Sequence, residues 1–307
     1  HGRVVPYLGG VALCLAFVLS ILFFYGINRK MAVVLVGLLM VVALGVLDDV
    51  YKLKPWQKLL GQLLVGLFLV VGGIGVDFVN MPFGGVYSFN NWNVDMVLGG
   101  WMWHINIFSA IITISLSVVL MNSINFLDGM DGLASMVSLV VFVVMFFLCN
   151  AMYVSQPDSA RMSIAMAGAI MGFLPYNLPK ASIFLGDSGS MMLGYVMAVL
   201  SILSGSKVAT LLLVLGIVIL DTMYVIWSRY RHGRKVWQAD RSHLHYKLLD
   251  RGYSEWTVLG IYFMISLLLG LAALLLSNGW SKALLMLMFF GGCIFFIVRF
   301  VDKKIEN

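Results

Sequence analysis

One short stretch, residues 122–131, combines two carboxylates and two amides at the point where one apolar run ends and the next begins. Asn122, Asn125 and Asp128 are three positions apart, so they fall on one side of a helix end, and Asp131 follows. Charged side chains beside long apolar runs are costly, which makes them candidates for function. A polar loop between two spans is the competing interpretation, and the positions of the other acids argue against it.

Two further acid-bearing segments lie beside apolar runs. Asp48 and Asp49 close one run, and as neighbours on a helix they point in different directions. We therefore expect one of them to act as a base or metal partner while a cation such as Lys52 holds the other. Asp187 lies between two glycines at a span end, an arrangement that suits Mg²⁺, which takes one or two carboxylates together with phosphate oxygens.

The most basic part of the chain, residues 229–251, contains the sequence Asp-Arg-Ser-His-Leu-His at 240–245. A His-x-His pair is able to bind zinc, but neither a cysteine nor a second histidine pair accompanies it. Imidazoles beside arginines are better suited to contact phosphate. Phosphates, a hard metal ion and cations together indicate phosphoryl transfer, and the residues alone do not name its substrates.

These segments belong to an integral membrane protein. Of the 307 residues, 61% are hydrophobic and 11% are charged, whereas about a quarter of a soluble domain is charged. Lipid requires each segment to satisfy its own backbone, so we predict an all-α polytopic membrane protein with one domain over residues 1–307. The net charge of +6 is then a matter of topology and of anionic lipid or phosphate, and no nucleic-acid partner is expected.

Ten spans are predicted, and most lysines and arginines fall on one side when they are threaded through a bilayer. The positive-inside rule makes that side cytoplasmic, including the basic loop 228–256. All the acid-bearing segments reach the same face, whereas residues 76–104 form an external loop with a small β-hairpin. The spans are 7–26, 31–47, 57–75, 105–121, 134–152, 162–178, 188–204, 208–227, 257–277 and 283–301.

Six segments together resemble the polyprenyl-phosphate N-acetylhexosamine-1-phosphate transferases, and most closely the bacterial undecaprenyl-phosphate N-acetylglucosamine-1-phosphate transferases. Each segment is weakly diagnostic alone, but all six occur in the order typical of that family and span nearly the whole chain. They are Pro-Tyr-Leu-Gly-Gly at 6–10, Leu-Asp-Asp-Val-Tyr-Lys at 47–52, residues 122–134, Phe-Leu-Gly-Asp-Ser-Gly-Ser at 184–190, Ile-Leu-Asp-Thr at 219–222 and residues 240–245.

The resemblance implies a Mg²⁺-dependent transferase, with Mn²⁺ as the alternative ion. A phosphate oxygen of undecaprenyl phosphate attacks the β-phosphorus of a UDP-N-acetylhexosamine, sugar-1-phosphate moves to the lipid, and UMP leaves. This would be the first membrane step of a cell-envelope polysaccharide such as teichoic acid or O-antigen. The enzyme would lie in the bacterial inner membrane with its active site on the cytoplasmic face, and a homodimer is compatible with the sequence.

The resemblance also implies roles for the acids and histidines. Asp187 and Asp128 would bind the metal, and Asp48 and Asp49 would lie beside the lipid phosphate, one as a candidate base. Asp131 would line the nucleotide and metal region together with Asp128. The two histidines, His243 and His245, would hold pyrophosphate or sugar.

The remaining expected site residues bind substrate. Asn177 and Phe184 would lie near the uracil, and Arg229 and Arg241 would assist the histidines. The full expected set is Lys52, Asn122, Asn125, Asn177, Phe184, Arg229 and Arg241.

The sequence departs from the family pattern in two places. A further span usually precedes the Pro-x-x-Gly-Gly segment, so an eleventh span is expected in the intact protein, and Tyr246 stands where the family often has another histidine.

Three competing interpretations remain. The peptidoglycan branch, which transfers phospho-N-acetylmuramoyl-pentapeptide, is the nearest alternative. An ion-coupled transporter would need acids near the bilayer midplane, and Asp221 is the only acid that we predict near that depth. A structural scaffold would leave the clustered acids unexplained.

Overall fold

The computed structural model describes residues 5–80, 85–89, 93–98, 101–151, 154–205, 208–231, 243–276 and 279–296. Within these ranges the chain is mostly helical, with four short strands between the third and fourth helices. The helices are α1 (Gly9–Phe24), α2 (Arg29–Tyr51), α3 (Pro55–Val71), α4 (Ile107–Leu127), α5 (Leu133–Asn150), α6 (Pro157–Asn177), α7 (Gly186–Leu203), α8 (Val208–Val214), α9 (Gly216–Arg231), α10 (Leu244–Asp250), α11 (Glu255–Leu275) and α12 (Gly279–Phe296).

Five of the described helices, α2, α4, α5, α7 and α11, are long and apolar enough to cross a membrane. A sixth span is formed if α8 and α9 are taken together, although they are bent by 76°. The predicted single span 208–227 is therefore broken next to Leu215. Two shorter apolar helices, α1 and α3, accompany them. This is the architecture of a polytopic membrane protein, and the predicted count of ten spans stays a prediction.

Helix α7 is the centre of the bundle and is buried along almost its whole length. It packs against α1, α2 and α4. Glycines permit this close approach, because a Cβ atom on Gly10 would lie 2.2 Å from the backbone nitrogen of Gly189. A Cβ atom on Gly45 would likewise lie 2.2 Å from the Cα atom of Ser188. Small residues bring membrane helices together in this way, and here they place the end of α2 against the beginning of α7.

The segment between α3 and α4 contains two antiparallel strand pairs. In the first, β1 (Phe78–Asn80) pairs with β2 (Val86–Ser88), so that Phe78 is opposite Ser88. In the second, β3 (Asn93–Leu98) pairs with β4 (Trp101–Asn106), so that Leu98 is opposite Trp101. Residues 81–84, 90–92 and 99–100 of the predicted external loop 76–104 lie outside the described residues, and its side of the membrane stays a prediction.

Candidate active site

The ammonium group of Lys58, on the second turn of α3, is the centre of a polar cluster. Its Nζ atom lies 2.8 Å from Oδ2 of Asp48, 3.2 Å from Oδ1 of Asp187 and 2.9 Å from Oδ1 of Asn125. The amide group of Asn125 also donates a hydrogen bond to Asp187. The cation comes from α3. Each of the three oxygens around it comes from a different helix: α2, α4 or α7.

The two adjacent carboxylates of α2 point in different directions, as their helical spacing requires. Asp49 does not reach Lys58 but accepts hydrogen bonds from the backbone N–H groups of Asp187 at 2.9 Å and Ser188 at 3.2 Å. These N–H groups belong to the first turn of α7, where no intrahelical acceptor exists. Gly186, at φ +72°, starts that turn, and a Cβ atom there would lie 2.8 Å from a carboxylate oxygen of Asp49. Asp49 thus holds Asp187 in place from another helix.

The expectation that Lys52 neutralises one of the α2 carboxylates needs correction, because Lys58 is the cation paired with Asp48. Lys52 ends α2 in the left-handed conformation, at φ 53°. Its ammonium group lies 5.5 Å from the centre of the Tyr7 ring. Helix α3 begins at Pro55 and brings the later lysine, not the nearer one, to the carboxylate. A role of Lys52 in substrate binding stays a prediction.

Asn122 lies one turn before Asn125 on α4 and pairs with an amide that the sequence did not single out. Its Nδ2 atom donates to Oε1 of Gln62 at 2.6 Å, and Nε2 of Gln62 donates back at 3.4 Å. Gln62 is fully buried and lies one turn after Lys58 on α3. The amide pair therefore ties α3 to α4 beside the contact between Lys58 and Asn125.

Replacing Gln62 by leucine should destabilise the protein by about 1–3 kcal/mol, because the side-chain oxygen of Asn122 would lose its donor while Nδ2 keeps only the Val118 carbonyl at 2.8 Å. The double variant Gln62→Leu/Asn122→Leu should recover most of that loss, since both polar groups are then absent. Unfolding of the purified variants, followed by tryptophan fluorescence, would measure both effects. A double variant as unstable as the sum of the single variants would contradict this account.

A cavity of about 250 Å³ adjoins the cluster and contains four of the residues expected in the site. The ring of Phe184 forms part of its wall, 5.1 Å from the ring of Tyr7 between their centres. The carboxylates, the amide and the aromatic ring share this one space. Its lining residues are Tyr7, Asp128, Gly129, Met130, Asp131, Asn177, Phe184, Leu185 and Gly186.

Asp131 and Asn177 hold the loop that leads from α6 to α7. Asp131 accepts a hydrogen bond from the backbone N–H of Ala181 at 3.0 Å. Asn177 is buried, accepts from the hydroxyl of Ser135 at 2.7 Å and donates to the carbonyl of Ile183 at 3.1 Å. Both side chains therefore shape the cavity wall, and their predicted contacts with substrate are not tested by this geometry.

Asp128 directly follows the last residue of α4 and lies among other carboxylates. Burial raises the pKa of its carboxyl group well above the usual range, and the negative charges of Asp187, Asp49 and Asp131 raise it further. A cation placed here would reverse that effect. Crowded carboxylates beside a cavity are a common feature of functional sites.

Replacing Asp128 by asparagine should raise the unfolding temperature of the metal-free protein at pH 7. The folded state favours the protonated Asp128 carboxyl. The contribution of this group to folding stability is therefore complete below about pH 4 and is lost as the pH rises through the raised pKa. Asparagine does not titrate, so the difference from the wild type should shrink at pH 4. Thermal unfolding in EDTA at the two pH values would measure this, and a less stable variant at pH 7 would contradict it.

The histidine segment contacts the acid-bearing segment on one side and α9 on the other. The hydroxyl of Tyr246 donates to the carbonyl of Gly129 at 3.0 Å. His245 is fully buried, and burial lowers the pKa of its imidazole to about 4. Nδ1 of His243 lies 3.1 Å from a carboxylate oxygen of Asp221. Arg229 is buried near the end of α9, whereas Arg241 lies outside the described residues.

The residues around Lys58 fit a hard divalent cation. Asp48, Asp187 and Asn125 offer only oxygen atoms, the ligand type that Mg²⁺ and Mn²⁺ prefer, and an ammonium group already stands among them. Within the described ranges no three His, Cys, Asp or Glu side chains form a metal site by themselves. A metal ion here would therefore complete its coordination with an amide, water or substrate oxygens.

Sequence reasoning missed Lys58 and Gln62, the two α3 residues on which the cluster depends. A charged side chain inside an apolar span is itself a signal of function. In the sequence analysis Lys58 is only one of the many basic residues on the predicted cytoplasmic side. Gln62, an amide side chain among leucines, is a weaker signal of the same kind.

Comparison with known proteins identifies the family of the chain. The sequence model of glycosyl transferase family 4 matches residues 31–205, which contain Asp48, Lys58, Asn125 and Asp187. The chain is 30% identical over 286 residues to a Bacillus subtilis (strain 168) protein named probable undecaprenyl-phosphate N-acetylglucosaminyl 1-phosphate transferase, covering 91% of this chain and 75% of that protein.

Two other relatives have similar coverage. A decaprenyl-phosphate N-acetylglucosaminephosphotransferase of Mycolicibacterium smegmatis is 30% identical over 322 residues, with 93% of this chain and 76% of that protein covered. A phospho-N-acetylmuramoyl-pentapeptide-transferase of Limosilactobacillus fermentum is 30% identical over 256 residues, with coverages of 80% and 73%. The matched model covers more than half of the chain, and the chain therefore belongs to glycosyl transferase family 4.

Proposed function

We propose that this protein transfers N-acetylglucosamine-1-phosphate from UDP-N-acetylglucosamine to undecaprenyl phosphate and releases UMP. The observation that carries the proposal is the oxygen cluster around Lys58 beside a cavity with carboxylate, amide and aromatic walls. The names of the relatives from Bacillus subtilis and Mycolicibacterium smegmatis support a polyprenyl phosphate acceptor and this sugar. The product would enter the synthesis of a cell-envelope polysaccharide.

In this reaction an oxygen of the lipid phosphate forms a bond to the β-phosphorus of the donor, and the bond between that phosphorus and the UMP oxygen breaks. Asp48 would lie beside the lipid phosphate. Asp49 would keep Asp187 in position, and Lys58 would neutralise phosphate charge as it now neutralises the carboxylates. Positioning and charge neutralisation are what this chemistry chiefly asks of a protein.

We further propose Mg²⁺ as the cofactor, with Mn²⁺ as a substitute, held by Asp187 and Asp128. Both are oxygen ligands, and the negative charge of Asp187 is one of the causes that raise the pKa of Asp128, which supports a shared cation. When bound, the ion would withdraw charge from the pyrophosphate oxygens. Asn125 would orient the Asp187 carboxylate through the hydrogen bond it already donates.

The site is proposed to face the cytoplasm of a bacterial inner-membrane protein, because most basic residues lie on the side of the acid-bearing segments. A cysteine introduced at Ser242 should react with an impermeant maleimide only from the cytoplasm. A matched cysteine at the exposed Asp158 should react only from the opposite side. The reverse labelling pattern would overturn the orientation.

The test of function is UMP release by the purified protein with undecaprenyl phosphate and Mg²⁺. UDP-N-acetylglucosamine, UDP-N-acetylgalactosamine and UDP-N-acetylmuramoyl-pentapeptide should be supplied in parallel. Release should require the lipid, stop with EDTA, return with Mg²⁺ or Mn²⁺, and be fastest with UDP-N-acetylglucosamine.

The relative from Limosilactobacillus fermentum favours one second candidate, transfer of phospho-N-acetylmuramoyl-pentapeptide. Preference for the muramoyl donor in the same assay would replace the first proposal with this one. UMP release with none of the three donors would reject both.

A further inference from the structure

Asp221 is a buried carboxylate inside an apolar helix, and the proposed reaction does not use it. Only 3% of its surface is exposed, and it lies on α9, the second half of the bent span. An acid at this depth is costly unless its charge is compensated by specific partners. Its partners are therefore the clue to its role.

Both oxygens of Asp221 are directed at the beginning of α10. Oδ1 accepts a hydrogen bond from the backbone N–H of Leu244 at 2.6 Å, and Oδ2 lies 3.1 Å from Nδ1 of His243. His245 presents its own Nδ1 atom 3.8 Å from the same oxygen, beyond hydrogen-bonding distance. One carboxylate thus fixes both the backbone and the side chain at the entry to the histidine segment.

This geometry selects one tautomer of His243. An ionised carboxylate can only accept hydrogen bonds, so the proton between Asp221 and His243 belongs to Nδ1 of the imidazole. In the neutral imidazole the other ring nitrogen, Nε2, then carries a lone pair, and it has no hydrogen-bond partner among the described residues. The centre of the His243 ring lies 5.7 Å from the centre of the Phe126 ring. Phe126 is on the last turn of α4, between Asn125 and Asp128.

We propose that Asp221 is a positioning residue that holds His243 in the Nδ1–H tautomer and presents Nε2 as a hydrogen-bond acceptor to an O–H or N–H group of the sugar donor. The second part of this inference rests on the proposed function, whereas the first part concerns the protein alone. A carboxylate behind a histidine commonly fixes both its orientation and its tautomer.

The tautomer can be measured without any substrate. In ¹⁵N-histidine-labelled protein in nanodiscs, the resonances that disappear in His243→Gln belong to His243. We expect their shifts and couplings to indicate hydrogen on Nδ1 in the wild type. In Asp221→Asn the amide can still accept from Leu244 while donating to Nδ1, so the hydrogen should move to Nε2. The Nε2–H form or the doubly protonated imidazolium in the wild type, or an unchanged spectrum in Asp221→Asn, would overturn the proposal.

Kinetics test the catalytic consequence separately. Asp221→Asn should lower kcat/KM for the sugar donor by about 10²-fold, the upper range for residues that orient a functional imidazole. The matched control is Thr222→Ala, which removes a hydroxyl that donates to the Val218 carbonyl at 3.0 Å within α9, and it should leave kcat/KM unchanged.

The double variant Asp221→Asn/His243→Gln should be no slower than His243→Gln alone, because Asp221 acts through His243. Additive losses would show instead that Asp221 supports the fold, and they would overturn the proposal. If the tautomer result holds but the protein releases no UMP, the proposed function fails while the Asp221–His243 pair stands.

Discussion

Replacing Asp187 by asparagine should leave a folded, membrane-inserted protein that releases UMP about 10³-fold more slowly than the wild type. The carboxylate lies where Lys58 and Asn125 converge, and it is the proposed ligand of the metal ion. Asparagine has the same shape, and the backbone N–H that Asp49 accepts from is unchanged. The loss should therefore fall on charge and not on structure. The initial rate of lipid-dependent UMP release measures it.

Asp158→Asn is the matched control, because this aspartate is exposed at the start of α6 and pairs only weakly with Arg161 at 4.0 Å. Its rate should equal that of the wild type. Size-exclusion profiles of the two variants should agree with the wild type, and Asp187→Asn should stay folded because Lys58 keeps Asp48 at 2.8 Å. A rate for Asp187→Asn within about threefold of the wild type would refute its assignment as a metal ligand.

Replacing Lys58 by methionine should lower both stability and activity. Methionine keeps the length and packing of the side chain but leaves Asp48 and Asp187 without their common cation. Breaking such a mostly buried ion pair costs about 3 kcal/mol, and loss of a charge-neutralising group should reduce the rate of UMP release about 10²- to 10³-fold. Thermal unfolding and the UMP assay would measure the two effects.

Added Mg²⁺ should raise the unfolding temperature of Lys58→Met more than that of the wild type, because the carboxylates of the variant have no competing ammonium group. Lys30→Met, at the exposed start of α2, is the control. It should match the wild type with and without Mg²⁺. Equal Mg²⁺ effects in Lys58→Met and the wild type would contradict the idea that cation and metal share one set of oxygens.

Spacing along the chain predicted the parts of the site that depend on local geometry. The three-residue interval between Asn122, Asn125 and Asp128 placed them on one side of a helix end, and α4 does end at Leu127. The different directions of Asp48 and Asp49 followed from helical pitch in the same way. The membrane-spanning helices and the family were also readable, because apolar runs and motif order persist over the whole chain.

The pairings across helices could not be predicted, because they depend on how the helices pack. Lys58 and Asp187 are 129 positions apart, and Lys52 is closer than Lys58 to Asp48 in the sequence. The amide pair of Gln62 and Asn122 depends on the approach of α3 to α4 in the same way. Neither pair leaves a periodic signal in the chain. The break between α8 and α9 at Leu215 was hidden for another reason, since the two helices together form one apolar stretch long enough to span a membrane.

The burial of α7 has a consequence for biosynthesis. A helix surrounded by protein does not need the apolar surface that lipid demands, and α7 is the least apolar of the five spanning helices. The insertion machinery evaluates each segment largely by its own apolarity. We therefore expect α7 to partition poorly from the translocon when it emerges alone, and to be retained in the bilayer only because α2 and α4, synthesised earlier, already offer it a shielded slot.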